Sequence, residues 1–170
     1  MEAQSTRVFL IGFMGVGKTT LGRRLSRRLG LEYRDLDQEI EFAAGMFIPE
    51  IFSMLGEDQF RKMEAETLRI QPKGCLIACG GGTPCFLNNM DWMNENGITV
   101  YLQADPNFLS DRLKQSKKPR PLIQGKEDEQ LKQYIRAKLA ERESFYKKAK
   151  ILAPLPRTKV RNIAEMIQEF

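Results

Sequence analysis

Histidine is absent from the 170 residues. Imidazole is therefore excluded from every acid, base and metal-ligand role, and that chemistry falls to carboxylates, hydroxyls and amines. Cysteine is scarce, occurring only at Cys75, Cys79 and Cys85. An odd count with no recognisable leader points to reduced thiols and a cytoplasmic protein. The spacing matches no common zinc pattern, and Cys75 and Cys79 read as small residues of a buried strand. No apolar run approaches the roughly 20 residues that a membrane helix needs, so no membrane partner is expected. Internal repeats, low-complexity tracts and interdomain linkers are lacking too, which suits one domain over residues 1–170.

Acidic residues are outnumbered, 22 against 27 basic, for a net charge of +5. Arg23, Arg24, Arg27 and Arg28 share one early helix and read as its solvated face. A nucleic-acid binder would need a concentrated basic stripe with exposed aromatics, and none is visible. The balance fits small anionic substrates instead.

Apolar runs alternate in type along the chain. Residues 7–11 (RVFLI), 31–36, 75–79 (CLIAC), 98–102 (ITVYL) and 151–153 read as short strands. Helices are predicted over residues 19–29, 37–45, 48–55, 57–70, 87–96, 106–115, 128–148 and 162–170. The polar, basic stretch 116–125 carries two prolines and reads as a loop. Strands alternating with helices imply an α/β fold with a parallel sheet covered on both faces.

The motif Gly12-Phe13-Met14-Gly15-Val16-Gly17-Lys18-Thr19 follows the first strand and opens the first helix. It fits the Walker A pattern in sequence and in context. The glycines let backbone N–H groups turn inward with no Cβ in the way of phosphate oxygens. The helix N-terminus adds its dipole. Lys18 neutralises phosphate charge, and the Thr19 hydroxyl is a Mg²⁺ ligand. The donor is therefore ATP with Mg²⁺, an ion that prefers oxygen ligands and calls for a nearby carboxylate. Asp35 and Asp37 end the second strand, where i and i+2 point to one side. One could face metal and the other a hydroxyl; Asp37 could equally be a helix N-cap.

Other candidates have plain alternatives. Arg61 could pair with Glu64 on a helix surface, and Arg142 lies between Glu141 and Glu143 on a charged helix. Ile48, Phe52 and Phe60 could line a pocket or simply be core. Gly80-Gly81-Gly82 favours close approach of the backbone to a ligand, because three glycines destabilise any regular element.

Taken in order, Gly-Phe-Met-Gly-Val-Gly-Lys-Thr-Thr at 12–20, Asp35-Leu36-Asp37, Phe60-Arg61-Lys62-Met63-Glu64, Gly80-Gly81-Gly82, Arg120-Pro121-Leu122 and Arg142 with Tyr146 resemble the shikimate kinase family from Val8 to about Ala149. The resemblance implies a three-layer P-loop kinase fold like that of nucleoside monophosphate kinases, with five parallel strands in order 2-3-1-4-5. It implies substrate-binding helices over about 37–70 and a mobile lid over about 112–125. The implied reaction moves the ATP γ-phosphate to the 3-hydroxyl of shikimate in a monomeric, cytoplasmic enzyme of aromatic amino acid biosynthesis.

Carried over by position, Gly15, Val16, Gly17, Lys18, Thr19 and Thr20 would bind ATP, with Arg112 near the adenine and Arg120 reaching the phosphates from the lid. Thr19 and Asp35 would hold Mg²⁺. Asp37, Arg61, Gly81 and Arg142 would bind shikimate. Lys18, Asp37 and Arg120 would be catalytic. Guanidinium forks suit a planar carboxylate, which supports the two arginines. The segment Ala153-Pro154-Leu155-Pro156-Arg157-Thr158-Lys159 departs from the family pattern, and its prolines remove N–H donors. Arg157 is the candidate adenine-side contact there, with Lys159 the alternative. Two rivals remain: another small-molecule kinase acting on gluconate or AMP, and a nucleotide-binding regulator without kinase activity.

Overall fold

The three central strands of the sheet are almost wholly buried, and one of them is apolar from end to end. In this computed structural model, which describes residues 6–116 and 123–170, β1 (Arg7–Ile11) lies between β3 (Cys75–Ala78) and β4 (Ile98–Gln103). Strands β2 (Glu32–Asp35) and β5 (Ile151–Pro154) form the edges, giving the parallel order β2-β3-β1-β4-β5. That is the order the family resemblance implied.

Burial follows position. All four residues of β3 are buried, as central parallel strands covered on both faces require. Edge strand β5 alternates, with Ile151 and Ala153 inside and Leu152 and Pro154 outside. Edge strand β2 is polar, and its start moved from the expected Leu31 to Glu32. A proline is tolerated at the end of an edge strand, where no ladder donor is needed. The one polar residue deep in β4, Thr99, is satisfied: its hydroxyl donates to Asn94 Oδ1 at 2.6 Å and accepts from the Lys150 N–H at 2.9 Å.

Helix α1 (Lys18–Leu29) buries Gly22, Leu25, Ser26 and Leu29, while Arg23, Arg24, Arg27 and Arg28 face solvent as expected. Helices α2 (Leu36–Ala44), α3 (Ile48–Leu55) and α4 (Glu57–Arg69) pack together, with α2 beside β2. After β3 a short 3-10 turn (Thr83–Cys85) precedes α5 (Asn89–Asn96). Helix α6 (Pro106–Gln115) is capped by Asp105, whose carboxylate accepts from the N–H groups of Asn107 and Phe108. It packs on α7 (Asp128–Tyr146), and α8 (Val160–Gln168) packs on α1. The last helix begins two residues before the expected Asn162. The first four residues of the expected lid, 112–115, are the final turn of α6.

Gly97 marks the tightest approach. It joins α5 to β4, and a Cβ there would lie 2.4 Å from the Arg7 carbonyl oxygen and 2.8 Å from the Phe9 ring. Backbone on one side leaves little room to give. Gly97→Ala should therefore lower stability by roughly 1–3 kcal/mol, read as a fall in melting temperature of several degrees by circular dichroism. An unchanged melting temperature would refute the packing argument.

Candidate active site

The loops after β1 and β3 stand side by side because those strands are neighbours, with Phe9 opposite Ile77 and Leu10 opposite Ala78. Ligand sites in open parallel sheets form at these carboxyl ends. A cavity of about 480 Å³ opens there, lined by Gly15, Gly17, Lys18, Thr19, Thr20, Asp35, Asp37, Gly80, Gly81 and Arg112 among others.

The phosphate loop takes the conformation that its glycines permit. Gly15 and Gly17 have φ of 79° and 106°, a region costly for residues with a Cβ. Gly17 is the N-cap of α1, and no side chain caps that terminus. The first N–H groups of the helix are thus left to a ligand. Lys18 Nζ donates to the Gly12 carbonyl at 2.6 Å and the Phe13 carbonyl at 3.0 Å, folding back over the loop. Val16 contributes backbone only, since its side chain is buried. Arg112 donates through Nε to the Gly15 carbonyl at 2.9 Å and lies against Gly17, so α6 clasps the loop.

The carboxylate pair differs from expectation in one respect. Strand β2 ends at Asp35, and Asp35 rather than Asp37 is the N-cap: its Oδ1 accepts from the N–H of Asp37 at 3.1 Å and of Gln38 at 3.4 Å. Asp37 stands in the first turn of α2. Leu36 is fully buried, and burying it pulls the chain into the helix one residue early. Both carboxylates still reach the cavity. The Tyr33 hydroxyl, not foreseen from sequence, lies 3.5 Å from Asp35 Oδ2 and also faces Thr19. Burial, then the Asp35 charge, pushes its phenol above the ordinary value, so the proton stays on. Thr19 and Asp35 form an all-oxygen donor set of the kind Mg²⁺ takes while keeping waters and phosphate oxygens as its other ligands. Among the described residues, no cluster of three or more acidic or sulfur side chains could enclose a metal.

Each of the three consecutive glycines abuts a different polar side chain. A Cβ on Gly80 would lie 3.2 Å from Asp37 Oδ1 and 3.1 Å from Thr83 Oγ1. On Gly81 it would lie 3.2 Å from Arg142 Nη1, and 3.6 Å from both Gly12 O and Met14 N. On Gly82 it would lie 2.8 Å from Arg61 Nη2. The glycines therefore admit the protein's own side chains, where the sequence alone suggested room for a ligand.

Arg61 answers both of its readings. Its Nη1 donates to Glu64 Oε2 at 2.9 Å, and its Nε and Nη2 donate to Glu57 Oε1 at 3.3 and 3.2 Å. Glu64 is 1% exposed and accepts from Thr83 Oγ1 at 2.6 Å, so it is a buried strut. The guanidinium lies over the Phe86 ring, 3.9 Å from its centroid. Neither Phe86 nor Thr83 carries a local sequence signal, because only the 3-10 turn brings them here. Arg142 lies 5.7 Å from the Phe13 centroid. Cys85, close to both arginines, is half-buried, and burial raises its thiol pKa while Arg142 and Arg61 oppose the rise.

One expected residue is elsewhere. Arg157 lines a separate cavity with Tyr101, Asp105, Arg136 and Glu143, and is not brought to the phosphate loop's cavity. Arg120 lies outside the described residues. Phe52 is partly exposed and stacks on Phe60 with centroids 4.6 Å apart, while Ile48 is half-buried.

Comparison with known proteins gives a consistent result. A family model described as shikimate kinase matches residues 14–170. A shikimate kinase of Phocaeicola vulgatus is 44% identical over 149 residues, covering 86% of this chain and 85% of the relative. One from Bacillus cytotoxicus is 39% identical, covering 94% of each. A crystal structure of shikimate kinase from Bacteroides thetaiotaomicron superposes with TM-score 0.88 at 38% identity, covering 96% of this chain and 97% of that one. The shikimate kinase of Acinetobacter baumannii in complex with shikimate gives 0.83 at 34% identity, covering 98% and 93%. The phosphate loop, the paired carboxylates, Gly80 and Gly81 line one cavity, and Arg142 and Arg61 stand against the glycine segment beside it; these likenesses agree with that geometry, and the chain belongs to the shikimate kinase family.

Proposed function

We propose that this cleft carries out the ATP-dependent phosphorylation of shikimate, the activity of its family, with the 3-hydroxyl as acceptor and the following division of labour. The observation that carries the assignment is the ordered row Asp37, Arg142, Arg61 along Gly80, Gly81 and Gly82, beside the phosphate loop.

The backbone N–H groups at 15–20 receive the ATP phosphates. Lys18 swings from its own loop carbonyls onto the β/γ oxygens. Thr19 and Asp35 would hold Mg²⁺, which would supply positive charge against the phosphate oxygens. Arg61, Arg142 and the Gly81 N–H grip the shikimate carboxylate. The Arg61–Glu57 contact involves an exposed partner and is worth at most about 1 kcal/mol, so a ligand carboxylate displaces it at little cost. Glu64 stays behind as the buried strut. Gripping the ring at its carboxylate turns a hydroxyl toward Asp37, which orients it and accepts its proton as the phosphoryl group transfers. Most of the acceleration comes from this positioning and charge stabilisation. Arg112 borders the nucleotide. Arg120 and the lid complete the phosphate contacts and exclude water.

The reading takes the enzyme as a monomer acting on two small molecules. Three unpaired thiols support a cytoplasmic setting, and no helix of the described residues is long and apolar enough to cross a membrane.

A coupled ADP-release assay with shikimate, gluconate and AMP tests the acceptor. Turnover only with shikimate is expected; turnover only with one of the others would overturn the assignment. Lys18→Ala should lower kcat by roughly 100-fold or more with the fold retained; near-normal turnover would contradict the phosphate-loop role. Arg61→Ala should raise the shikimate KM roughly 10- to 100-fold and leave the ATP KM unchanged. It should also lower the melting temperature, because Glu64 loses its guanidinium. A loss of stability alone would reduce Arg61 to a structural ion pair. Gly82→Ala, whose Cβ meets only the Arg61 fork at under 3 Å, should reproduce the shikimate KM defect in weaker form; equal changes for both substrates would argue against it.

A further inference from the structure

Tyr146 is the last residue of α7, one turn beyond Arg142. It is fully buried, and its ring packs on Tyr101 with centroids 4.9 Å apart and an interplanar angle of 36°. Its O–H donates to the Gly81 carbonyl at 2.5 Å, a contact 65 residues apart in sequence. The Arg142 guanidinium faces the same hydroxyl. One phenol therefore touches two of the groups assigned to the acceptor carboxylate, the Gly81 backbone and the Arg142 fork.

We propose that Tyr146 is a positioning residue for acceptor binding: its hydroxyl locks the Gly81–Gly82 peptide and braces Arg142, holding both at the spacing a carboxylate needs. The proposal rests on the site reading given above. Its physical basis is the freedom of three consecutive glycines. Unanchored, such a segment samples many backbone conformations, and a ligand would have to bear that ordering cost on binding. A buried hydrogen bond to the middle glycine orders the segment beforehand. Packing alone needs only the ring. A phenol at this depth would be costly without an acceptor, and the Gly81 carbonyl is the acceptor the fold provides. Burial also raises the phenol pKa well above its ordinary value, so the donor proton is present throughout the neutral range.

The test is steady-state kinetics of the full chain with shikimate and ATP varied in turn, together with calorimetric titration of shikimate. Tyr146→Phe keeps the ring and removes the donor. Its shikimate KM and dissociation constant should rise roughly 3- to 10-fold, with the ATP KM unchanged. Tyr101→Phe, which removes the hydroxyl from the stacked neighbour, is the packing control and should alter neither. On an Arg142→Ala background, Tyr146→Phe should add less than it does alone, because the two side chains act on one ligand group.

An unchanged shikimate KM in Tyr146→Phe, with Arg142→Ala still impaired, would overturn the positioning role and leave the site reading standing. So would equal rises in both KM values, or full additivity with Arg142→Ala. An Arg142→Ala variant with normal shikimate KM would overturn the site reading and this inference with it.

Discussion

Three Cβ atoms are missing at 80–82, and three polar side chains stand where those atoms would crowd them. Asp37 lies against Gly80, Arg142 against Gly81 and Arg61 against Gly82. These residues come from α2, α7 and α4, which approach from different directions. The three side chains, the acceptor half of the proposed site, converge because a segment of bare backbone leaves them room. The same segment touches the phosphate loop, with the Gly81 Cβ position 3.6 Å from Gly12 O and Met14 N. The glycine segment and the phosphate loop are thus in direct contact, which sets Asp37, Arg142 and Arg61 beside the nucleotide loop.

That convergence depends on the sheet. Parallel pairing of β1 with β3 ends both strands at the same level, and the Cys79 N–H donates to the Leu10 carbonyl at 3.0 Å just as the strands part. The central strands are almost wholly apolar and cannot slip without exposing that surface. Rigidity in the hydrophobic layer becomes precision in the loops above it.

Electrostatics in the cleft follow the same economy. Glu64 is buried, yet its two oxygens are engaged by Thr83 and Arg61, which is the condition for keeping a charge out of water. In return it fixes one edge of the Arg61 fork and leaves the other, toward exposed Glu57, free to exchange partners. Cys79, fully buried beside Glu64 and the aspartates, has its thiol pKa driven strongly upward by burial, so it adds no charge to a region already rich in carboxylates.

The phosphate loop was legible from sequence because its information is local: glycines at fixed spacing between an apolar strand and a helix specify one backbone shape. The strand order was foreseen only through the family resemblance. Asp37 as a helix cap was misjudged by two residues, because burial of Leu36 moved the helix start and gave the cap to Asp35. Tyr33, Thr83, Phe86 and the role of Tyr146 left no local signal; their partners are other elements of the fold, up to 65 residues away for Tyr146. Arg157, in the proline-containing segment after β5, lines a different cavity together with Arg136 and Glu143 of α7. The sequence by itself determined the nucleotide loop, the buried strands and the list of charged candidates, all set by spacing and hydrophobicity over a few residues. Only the tertiary structure decided which of those charges meet, because that depends on which Cβ atoms are absent where separate elements touch.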